Sequence, residues 1–467
     1  MRQTLSEALS ETRSAALVAF PSSLPDVERR AAMPAGFAAG GLAAGIKPSG
    51  KPDLAVVRTI GGPAAVAAVF TPNTFAAAPV RLSRAHLATT EPTGGGRFGW
   101  TEAIISTSGS ANAATGAAGD ADQAEIAAML GDALRVATER TLALSTGVIG
   151  TRLPLDAVRS GIARLAANGL SSSPAGLEAA ASALRTTDSQ TKLATVRVEL
   201  PAAGGGTVTV TVSGIAKGVG MIHPRMATML ALVLTDATVA PAALHGLLSS
   251  AAARTWDQLS IDGDTSTNDT VFLLASGAAG SASVEAGTEA AAMLGRAIEA
   301  IARYLARQQA ADGEGATTLI TCQVTAAADD ADARAIARAI VSSSLVKAAV
   351  HGRDPNWGRL AGAAGNARLA EPAILEAAGL TAAEARERGA EPAQLDPARL
   401  RIGIAGTLVY DGAEGGPLAF DRAAVRAAME APEVVIRLDL GLGDGRGEAF
   451  GCDLTERYVI ENSEYTT

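Results

Sequence analysis

The apolar positions of the chain follow two periods, one typical of strands and one typical of helices. The segment 207–212 reads TVTVTV, and this alternation predicts a strand with one buried face. The run 229–234, MLALVL, is apolar throughout and predicts a strand that is buried on both faces. Residues 288–309 place apolar side chains at spacings of three and four, which predicts a long amphipathic helix.

Other segments repeat these patterns in an irregular order. Further strands are predicted at 54–57, 103–105, 141–147, 319–324 and 434–440, and further helices at 120–140 and 331–343. Strands and helices do not alternate with the rhythm of a doubly wound sheet, so the order favours a layered α+β arrangement. Residues 1–33 have only a weak helical pattern and are predicted to form an N-terminal extension.

Composition narrows the class of protein. The chain has 467 residues, of which 48% are hydrophobic, enough for a large core and two or three subdomains. A net charge of −9 argues against nucleic-acid binding, which needs a basic field. Two cysteines and four scattered histidines predict a reducing compartment and no metal site. Because no signal peptide or membrane span is recognisable, we expect a soluble, cytoplasmic protein.

Several glycine-rich loops are candidates for ligand binding. Residues 45–52, GIKPSGKP, superficially match a phosphate-binding loop, but Pro52 stands where a magnesium-binding Ser or Thr is required, so a simple turn is expected. Backbone N–H groups near Thr146 and Gly147 could stabilise an oxyanion, although tight turns explain the same residues. Glu314 lies between two glycines, where it could meet a ligand's ammonium group or face solvent.

Thr228 stands where a flexible, glycine-containing segment becomes a buried strand. A hydroxyl residue after the small Ala227 is the local arrangement of a self-cleaving chain, in which the Thr228 oxygen attacks the Ala227 carbonyl. The new chain would begin with an α-amine whose unperturbed pKa of roughly 8 suits a base for its own hydroxyl. A threonine that only begins a strand is the alternative.

Motifs along the whole chain resemble those of the ornithine acetyltransferase family, the ArgJ-type enzymes of arginine biosynthesis. The segment 217–230, KGVGMIHPRMATML, is similar to the family's self-processing motif, in which cleavage separates Ala from Thr. Further matches occur in the family's order from about residue 34 to residue 467, in these segments: GFAAGGLAAGIKPSGKPDLAVV, FTPNTFAAAPV, TSGSANAATG, STGVIGTRLP, TTDSQTK, DGDTSTNDTVFLLASG, GEGATTLITCQV, HGRDPNWGRL and YVIENSEYTT.

The resemblance implies a role for each matching residue. Thr228 is implied as the nucleophile, freed by cleavage after Ala227, and Thr146 with Gly147 as the oxyanion hole. The implied substrate-binding residues are Thr187 (chosen over Thr186), Lys217, Thr228, Glu314, Asn462 and Thr467.

The resemblance also implies a fold, a reaction and partners. The fold is an αββα-type sandwich of the DmpA/ArgJ-like kind with a smaller C-terminal α/β subdomain. Residues 34–227 and 228–467 would be the two chains left by self-cleavage, associated as a heterotetramer of two of each. The implied reaction is ping-pong transfer of acetyl from N2-acetylornithine to glutamate, with no cofactor and with acetyl-CoA as an optional co-substrate in some members.

Departures from the family's motifs leave other functions open. Arg225 lies close to the expected cleavage site, and Thr107, Ser110 and Ala114 change the loop before Gly116. Further changed positions are Thr318, Arg353 and the residue before Lys192, and a RFGW-containing insertion lies near residue 97. The alternatives are a paralogue of specialised metabolism with another acyl donor or acceptor, a self-cleaving amidohydrolase or aminopeptidase, and a non-catalytic binding paralogue.

Overall fold

The computed structural model describes residues 24–223, 229–369, 381–389 and 391–463. In those ranges the strands are Phe37–Leu42 (β1), Leu54–Thr59 (β2), Ala64–Phe70 (β3), Phe98–Thr101 (β4), Ala103–Ser110 (β5), Thr141–Val148 (β6), Lys192–Pro201 (β7), Thr207–Lys217 (β8), Leu230–Thr235 (β9), Leu259–Ser260 (β10), Thr270–Ala275 (β11), Leu319–Ala327 (β12), Arg401–Ile404 (β13), Thr407–Asp411 (β14), Gly416–Pro417 (β15), Glu433–Asp439 (β16) and Gly445–Cys452 (β17). The α-helices are Ala78–Thr90 (α1), Gly116–Leu134 (α2), Leu155–Arg164 (α3), Pro174–Leu184 (α4), Pro241–Arg254 (α5), Glu289–Ala311 (α6), Asp330–Ser342 (α7), Ser344–His351 (α8), Trp357–Gly365 (α9), Ala382–Gly389 (α10), Arg422–Ala428 (α11) and Glu456–Ser463 (α12).

Two sheets face each other at the centre of the molecule. One has four strands in the order β1-β2-β5-β6, and the other has six in the order β4-β3-β11-β9-β8-β7. Side chains from both sheets, among them Phe37, Val57, Leu232 and Phe272, form the core between them. The burial of this apolar surface is the main force that holds the two sheets together.

Helices cover the outer face of each sheet. Ile126 of α2 and Ile162 of α3 pack on the four-stranded sheet, while α5 and α6 pack on the six-stranded sheet. The sequence of β9 is apolar throughout because both faces of the strand are buried. Leu232 faces the inner core and Val233 faces the helices. The predicted αββα-type sandwich is therefore confirmed.

A smaller subdomain follows in the second half of the chain. Its seven-stranded mixed sheet has the order β10-β17-β12-β16-β13-β14-β15. Its core is built largely from residues between Ile320 and Ala449, including apolar side chains of α7, α8 and α9. This arrangement confirms the predicted C-terminal α/β subdomain.

Several predicted elements have different ends in the structure. Strand β8 continues past residue 212 to Lys217, because its last five residues are buried and no longer alternate. The helix predicted at 120–140 begins at Gly116 and ends at Leu134, because Arg135 adopts a left-handed conformation with φ of 59°. Strand β6 contains Thr146 and Gly147 and ends at Val148.

No helix in the described part of the chain is long and apolar enough to cross a membrane.

Candidate active site

A cavity lined by both polar and apolar residues lies where β6 and β8 end. It has a volume of about 320 Å³. Every sequence-predicted site residue within the described ranges lines it, and these residues are Thr146, Gly147, Thr187, Lys217, Glu314 and Asn462. The other predicted residues, Ala227, Thr228 and Thr467, lie outside the described residues.

One wall of the cavity is the end of β6. Gly147 has a φ of 132° and is paired with Gly109 of β5. A Cβ atom on Gly147 would lie 2.3 Å from the carbonyl carbon of Gly109, so only glycine allows the strands to remain this close. The buried Thr146 is therefore held at a fixed position beside the cavity.

Lys217, at the end of β8, provides the positive charge. Its side chain is buried, and its Nζ donates a hydrogen bond of 3.3 Å to Thr146 Oγ1. Burial lowers the pKa of Lys217, and the nearby Asp188 carboxylate opposes that shift. An ammonium group in such a position can bind an anionic group of a ligand with little competition from water.

A network of buried charges next to Lys217 fixes the backbone at the end of β8. Lys192 Nζ lies between Asp188 Oδ1, at 2.7 Å, and Asp312 Oδ2, at 2.6 Å. Asp188 Oδ1 also accepts a hydrogen bond of 2.9 Å from the backbone N–H of Gly218. Burial alone would raise the pKa of Asp188, but Lys217, Lys192 and these hydrogen bonds outweigh it and lower the pKa to about 2. Asp188 therefore stays ionised and fixes the chain next to Lys217.

Glu314 provides the negative charge in the cavity. Thr187 Oγ1 donates to Glu314 Oε1 over 2.9 Å, and Asn462 Nδ2 donates to Glu314 Oε2 over 3.0 Å. Gly220 leaves room for the carboxylate, since a Cβ atom there would lie 2.3 Å from Glu314 Oε2. Thr186 also lines the cavity, but Thr187 is the residue that contacts Glu314.

The loop that resembles a phosphate-binding loop is occupied by the protein's own carboxylate. The buried Asp53 accepts hydrogen bonds from four successive backbone N–H groups, those of Ala44, Gly45, Ile46 and Lys47. These donors form the kind of concave cradle that binds anions. Because Asp53 fills it, the loop is a turn, as the sequence analysis expected.

Four polar residues around the cavity received no role from the sequence. Asp188, Lys192 and Asp312 form the charge network, and Asn268 contacts the end of β6. Asp188 and Lys192 lie in TTDSQTK and Asn268 lies in DGDTSTNDT, both of which were recognised as motifs. Their polar character within motifs was the available signal, but two of the contacts, Lys192 with Asp312 and Asn268 with Ser145, join residues more than 100 positions apart in sequence.

The fold and the cavity define a class of protein. It is an α+β protein whose cavity presents an ammonium group and a carboxylate, an arrangement suited to small molecules that carry both charges. More particularly, the chain belongs to the ArgJ family, whose sequence profile matches residues 38–467. The family resemblance inferred from the motifs is thereby confirmed.

Curated relatives match over nearly their whole length. The chain is 43% identical over 443 residues to the arginine biosynthesis bifunctional protein ArgJ of Synechococcus sp., covering 93% of this chain and 96% of the relative. It is 42% identical over 448 residues to the protein of the same name from Deinococcus radiodurans, covering 95% and 99%.

Solved structures with similar sequences are also known. One is the arginine biosynthesis bifunctional protein ArgJ of Bacillus halodurans, with 35% identity, a TM-score of 0.43, and coverage of 50% of this chain and 97% of that chain. Another is the ornithine acetyltransferase of Mycobacterium tuberculosis complexed with ornithine, with 37% identity, a TM-score of 0.37, and coverage of 43% and 97%.

Proposed function

We propose that the protein is a self-cleaving acyltransferase that moves acetyl from N2-acetylornithine to glutamate by a ping-pong mechanism. The observation that carries this proposal is the cavity, in which an ammonium group, a carboxylate and the Thr146–Gly147 wall face the same space. Membership of the ArgJ family supports the reaction, since the family's relatives are named as bifunctional proteins of arginine biosynthesis.

Maturation is proposed to begin with the Thr228 hydroxyl. Its oxygen attacks the carbonyl carbon of Ala227, the acyl group passes from nitrogen to oxygen, and the hydroxyl proton ends on the nitrogen. Water then hydrolyses the ester, which restores the hydroxyl and releases a carboxylate on Ala227. Lys217 and Leu230 are register partners in β8 and β9, so the chain on both sides of the proposed break is attached beside the cavity.

The mature enzyme would consist of residues 34–227 and 228–467, preceded by the extension 1–33. In the first half-reaction, the Thr228 α-amine accepts the hydroxyl proton and the oxygen attacks the acetyl carbonyl. Thr146 and Gly147 stabilise the negative charge of the tetrahedral intermediate. Ornithine leaves with the proton on its amine, and acetyl remains as an ester on Thr228.

In the second half-reaction, the amine of glutamate attacks this ester and restores the Thr228 hydroxyl. Both substrates carry a carboxylate and a nitrogen function, so the same cavity can serve both halves. We assign the substrate carboxylate to Lys217 and the side-chain ammonium group of N2-acetylornithine to Glu314, which Thr187 and Asn462 orient. Thr467 is proposed to add a contact from the C-terminus.

The remaining parts of the proposal concern partners and location. We propose a heterotetramer of two copies of each chain, no resident cofactor, and acetyl-CoA as an optional acetyl donor. The two cysteines, Cys322 and Cys452, are free and buried, which fits a reducing compartment such as the cytoplasm.

The test compares wild type with Thr228→Ala and with Thr209→Ala, a control at an exposed threonine of β8. Intact mass under denaturing conditions should give two fragments divided before Thr228 in wild type and the control, and one chain in Thr228→Ala. Only the cleaved proteins should convert N2-acetylornithine and glutamate into N-acetylglutamate. Transfer that survives Thr228→Ala would refute the mechanism.

The same assay distinguishes the other functions. Release of acetate without N-acetylglutamate would identify an amidohydrolase, and transfer only with other acyl donors or acceptors would identify a specialised paralogue. An uncut wild-type chain that binds amino acids without turnover would identify a binding paralogue.

A further inference from the structure

Asn268 lies in the wall of the cavity and is itself buried, with an exposed fraction of 3%. Its side-chain Nδ2 donates two hydrogen bonds to backbone carbonyls, one to Ala111 at 2.7 Å and one to Ser145 at 2.8 Å. Its Oδ1 accepts a hydrogen bond of 2.6 Å from Thr267 Oγ1, which fixes the orientation of the amide group. Both amide hydrogens are thus used within the protein rather than for a ligand.

The two carbonyls that Asn268 binds lie next to the Thr146–Gly147 wall, to which the stabilisation of the oxyanion is assigned. Ser145 directly precedes Thr146 in β6, and Ala111 directly follows the end of β5. A single side chain therefore connects the ends of both strands and limits where Thr146 and Gly147 can lie.

The next residue, Asp269, makes a similar contact at the start of β9. Asp269 Oδ1 accepts a hydrogen bond of 3.0 Å from the backbone N–H of Met229, which precedes β9. Asp269 is buried, and its backbone carbonyl accepts a hydrogen bond of 2.9 Å from the N–H of Thr71. Two consecutive side chains thus attach the end of β6 and the beginning of β9 to the same short stretch of backbone.

We propose that Asn268 is a positioning residue for acyl transfer, which sets the location of the Thr146–Gly147 wall relative to the start of β9. The inference rests on the proposed function, because the nucleophile Thr228 directly precedes Met229. An oxyanion is stabilised only when its donors lie within about 0.5 Å of the productive geometry, and a displacement of about 1 Å can cost up to a hundredfold in rate. Asn268 supplies this accuracy without contacting the substrate.

The first test is Asn268→Ala, with rates normalised to the fraction of cleaved chain. We expect kcat to fall roughly 10- to 100-fold while KM for both substrates stays within about twofold, because the change affects the transition state rather than substrate binding. Asn73→Ala is the matched control, since Asn73 Nδ2 also donates to a backbone carbonyl, that of Thr265, at 3.0 Å but away from β6. We expect it to leave kcat and KM unchanged.

Three outcomes of this test have a direct meaning. An unchanged kcat in Asn268→Ala, beside an active wild type, would overturn the positioning role and leave the proposed function intact. We extend the role of the Thr146–Gly147 wall to the tetrahedral intermediate of self-cleavage, so a folded but uncleaved Asn268→Ala protein would support the positioning role. An inactive wild type would instead refute the proposed function.

A double-mutant cycle separates positioning from a general structural role. Thr146→Val removes the hydroxyl at the wall, and if Asn268 acts through Thr146, the loss in kcat of the double variant should be clearly smaller than the product of the single losses. Multiplicative losses would overturn the inference.

The variant Asn268→Asp keeps the test valid if the alanine variant does not fold. The carboxylate that this substitution introduces cannot donate to either carbonyl when it is ionised, whereas its protonated form can donate once. The activity of this variant relative to wild type should therefore rise as the pH is lowered. A ratio that does not change with pH would contradict the role assigned to the Asn268 donors.

Discussion

Gly220 faces the Glu314 carboxylate at a distance that leaves no room for a side chain. In Gly220→Ala the new Cβ atom would lie 2.3 Å from Glu314 Oε2, so the carboxylate must move away from Thr187 or Asn462. We expect KM for N2-acetylornithine to rise roughly tenfold, equivalent to about 1.4 kcal/mol. Steady-state kinetics of the cleaved protein would measure the change.

A glycine in open space provides the control for this variant. A Cβ atom on Gly246 of α5 would contact nothing within 4 Å. Gly246→Ala should therefore leave KM unchanged and slightly stabilise the helix. If Gly220→Ala also leaves KM unchanged, Glu314 does not bind the substrate in the proposed way.

The charge of Lys217 makes a prediction about pH. Burial lowers its pKa, so it loses its proton, and its attraction for a carboxylate, at a lower pH than an ordinary lysine. We expect kcat/KM for N2-acetylornithine to decline on the alkaline side below the usual lysine pKa of about 10.4. Because the Asp188 carboxylate raises the Lys217 pKa, Asp188→Asn should move this decline to still lower pH.

The pH profiles of wild type and Asp188→Asn would check this assignment. Lys217→Arg serves as the second comparison, since a guanidinium group remains charged throughout the range and should remove the alkaline decline. An alkaline limb at the same pH in all three proteins would show that another group controls it.

At the scale of elements, the chain's patterns predict strands and helices where burial is regular. The long helix α6 was predicted within two residues of its ends, because one face packs on the six-stranded sheet throughout its length. Strand β8 was predicted only over its half-exposed first part, because the alternating pattern disappears once both faces are buried. Local periodicity therefore reports burial on one face and not the end of a strand.

Local periodicity predicts even less about which residues share the candidate site. Lys217 and Glu314 are 97 positions apart by number, and no local pattern indicates that they line one cavity. The family resemblance predicted that relation, and the described residues do lie together. Asp188 and Asn268 received no role, because their importance depends on backbone groups that distant strands bring to them.

Helix α12 makes a prediction at this scale, because it carries Asn462 to Glu314. The helix packs directly against Gly315, where a Cβ atom would lie 2.4 Å from the backbone nitrogen of Tyr458. Gly315→Ala should therefore displace α12, weaken the contact between Asn462 and Glu314, and raise KM several-fold. Steady-state kinetics with both substrates would detect the change.

The control must share the backbone strain of Gly315→Ala. Gly280 has a φ of 76°, close to the 68° of Gly315, but a Cβ atom there would meet nothing within 4 Å. Both alanine variants should lose about 1 kcal/mol of stability from the left-handed conformation. Only Gly315→Ala should raise KM, and an equal KM in both variants would argue against a role for α12.

For the whole molecule, the sheet order determines what self-cleavage does to stability. In the six-stranded sheet, β9 and β11 follow the proposed break and lie between β3 and β8, which precede it. The inner core likewise combines Phe37 and Val57 with Leu232 and Phe272 from beyond the break. Neither product chain can bury its apolar surface without the other, so we expect them to remain together until both unfold.

This interleaving predicts how unfolding depends on protein concentration. Unfolding of the cleaved protein separates two chains, so its denaturation midpoint should rise with concentration, because mass action favours the associated state. The uncleaved Thr228→Ala chain unfolds without such a separation at this break, and its midpoint should depend less on concentration. Urea titrations at protein concentrations that differ by about a hundredfold would measure both midpoints. Each tenfold change in protein concentration changes the apparent free energy of unfolding of a two-chain complex by about 1.4 kcal/mol, so the expected difference is well resolved. Equal concentration dependence in the two proteins, or separation of the chains in native size-exclusion chromatography, would contradict a core shared across the break.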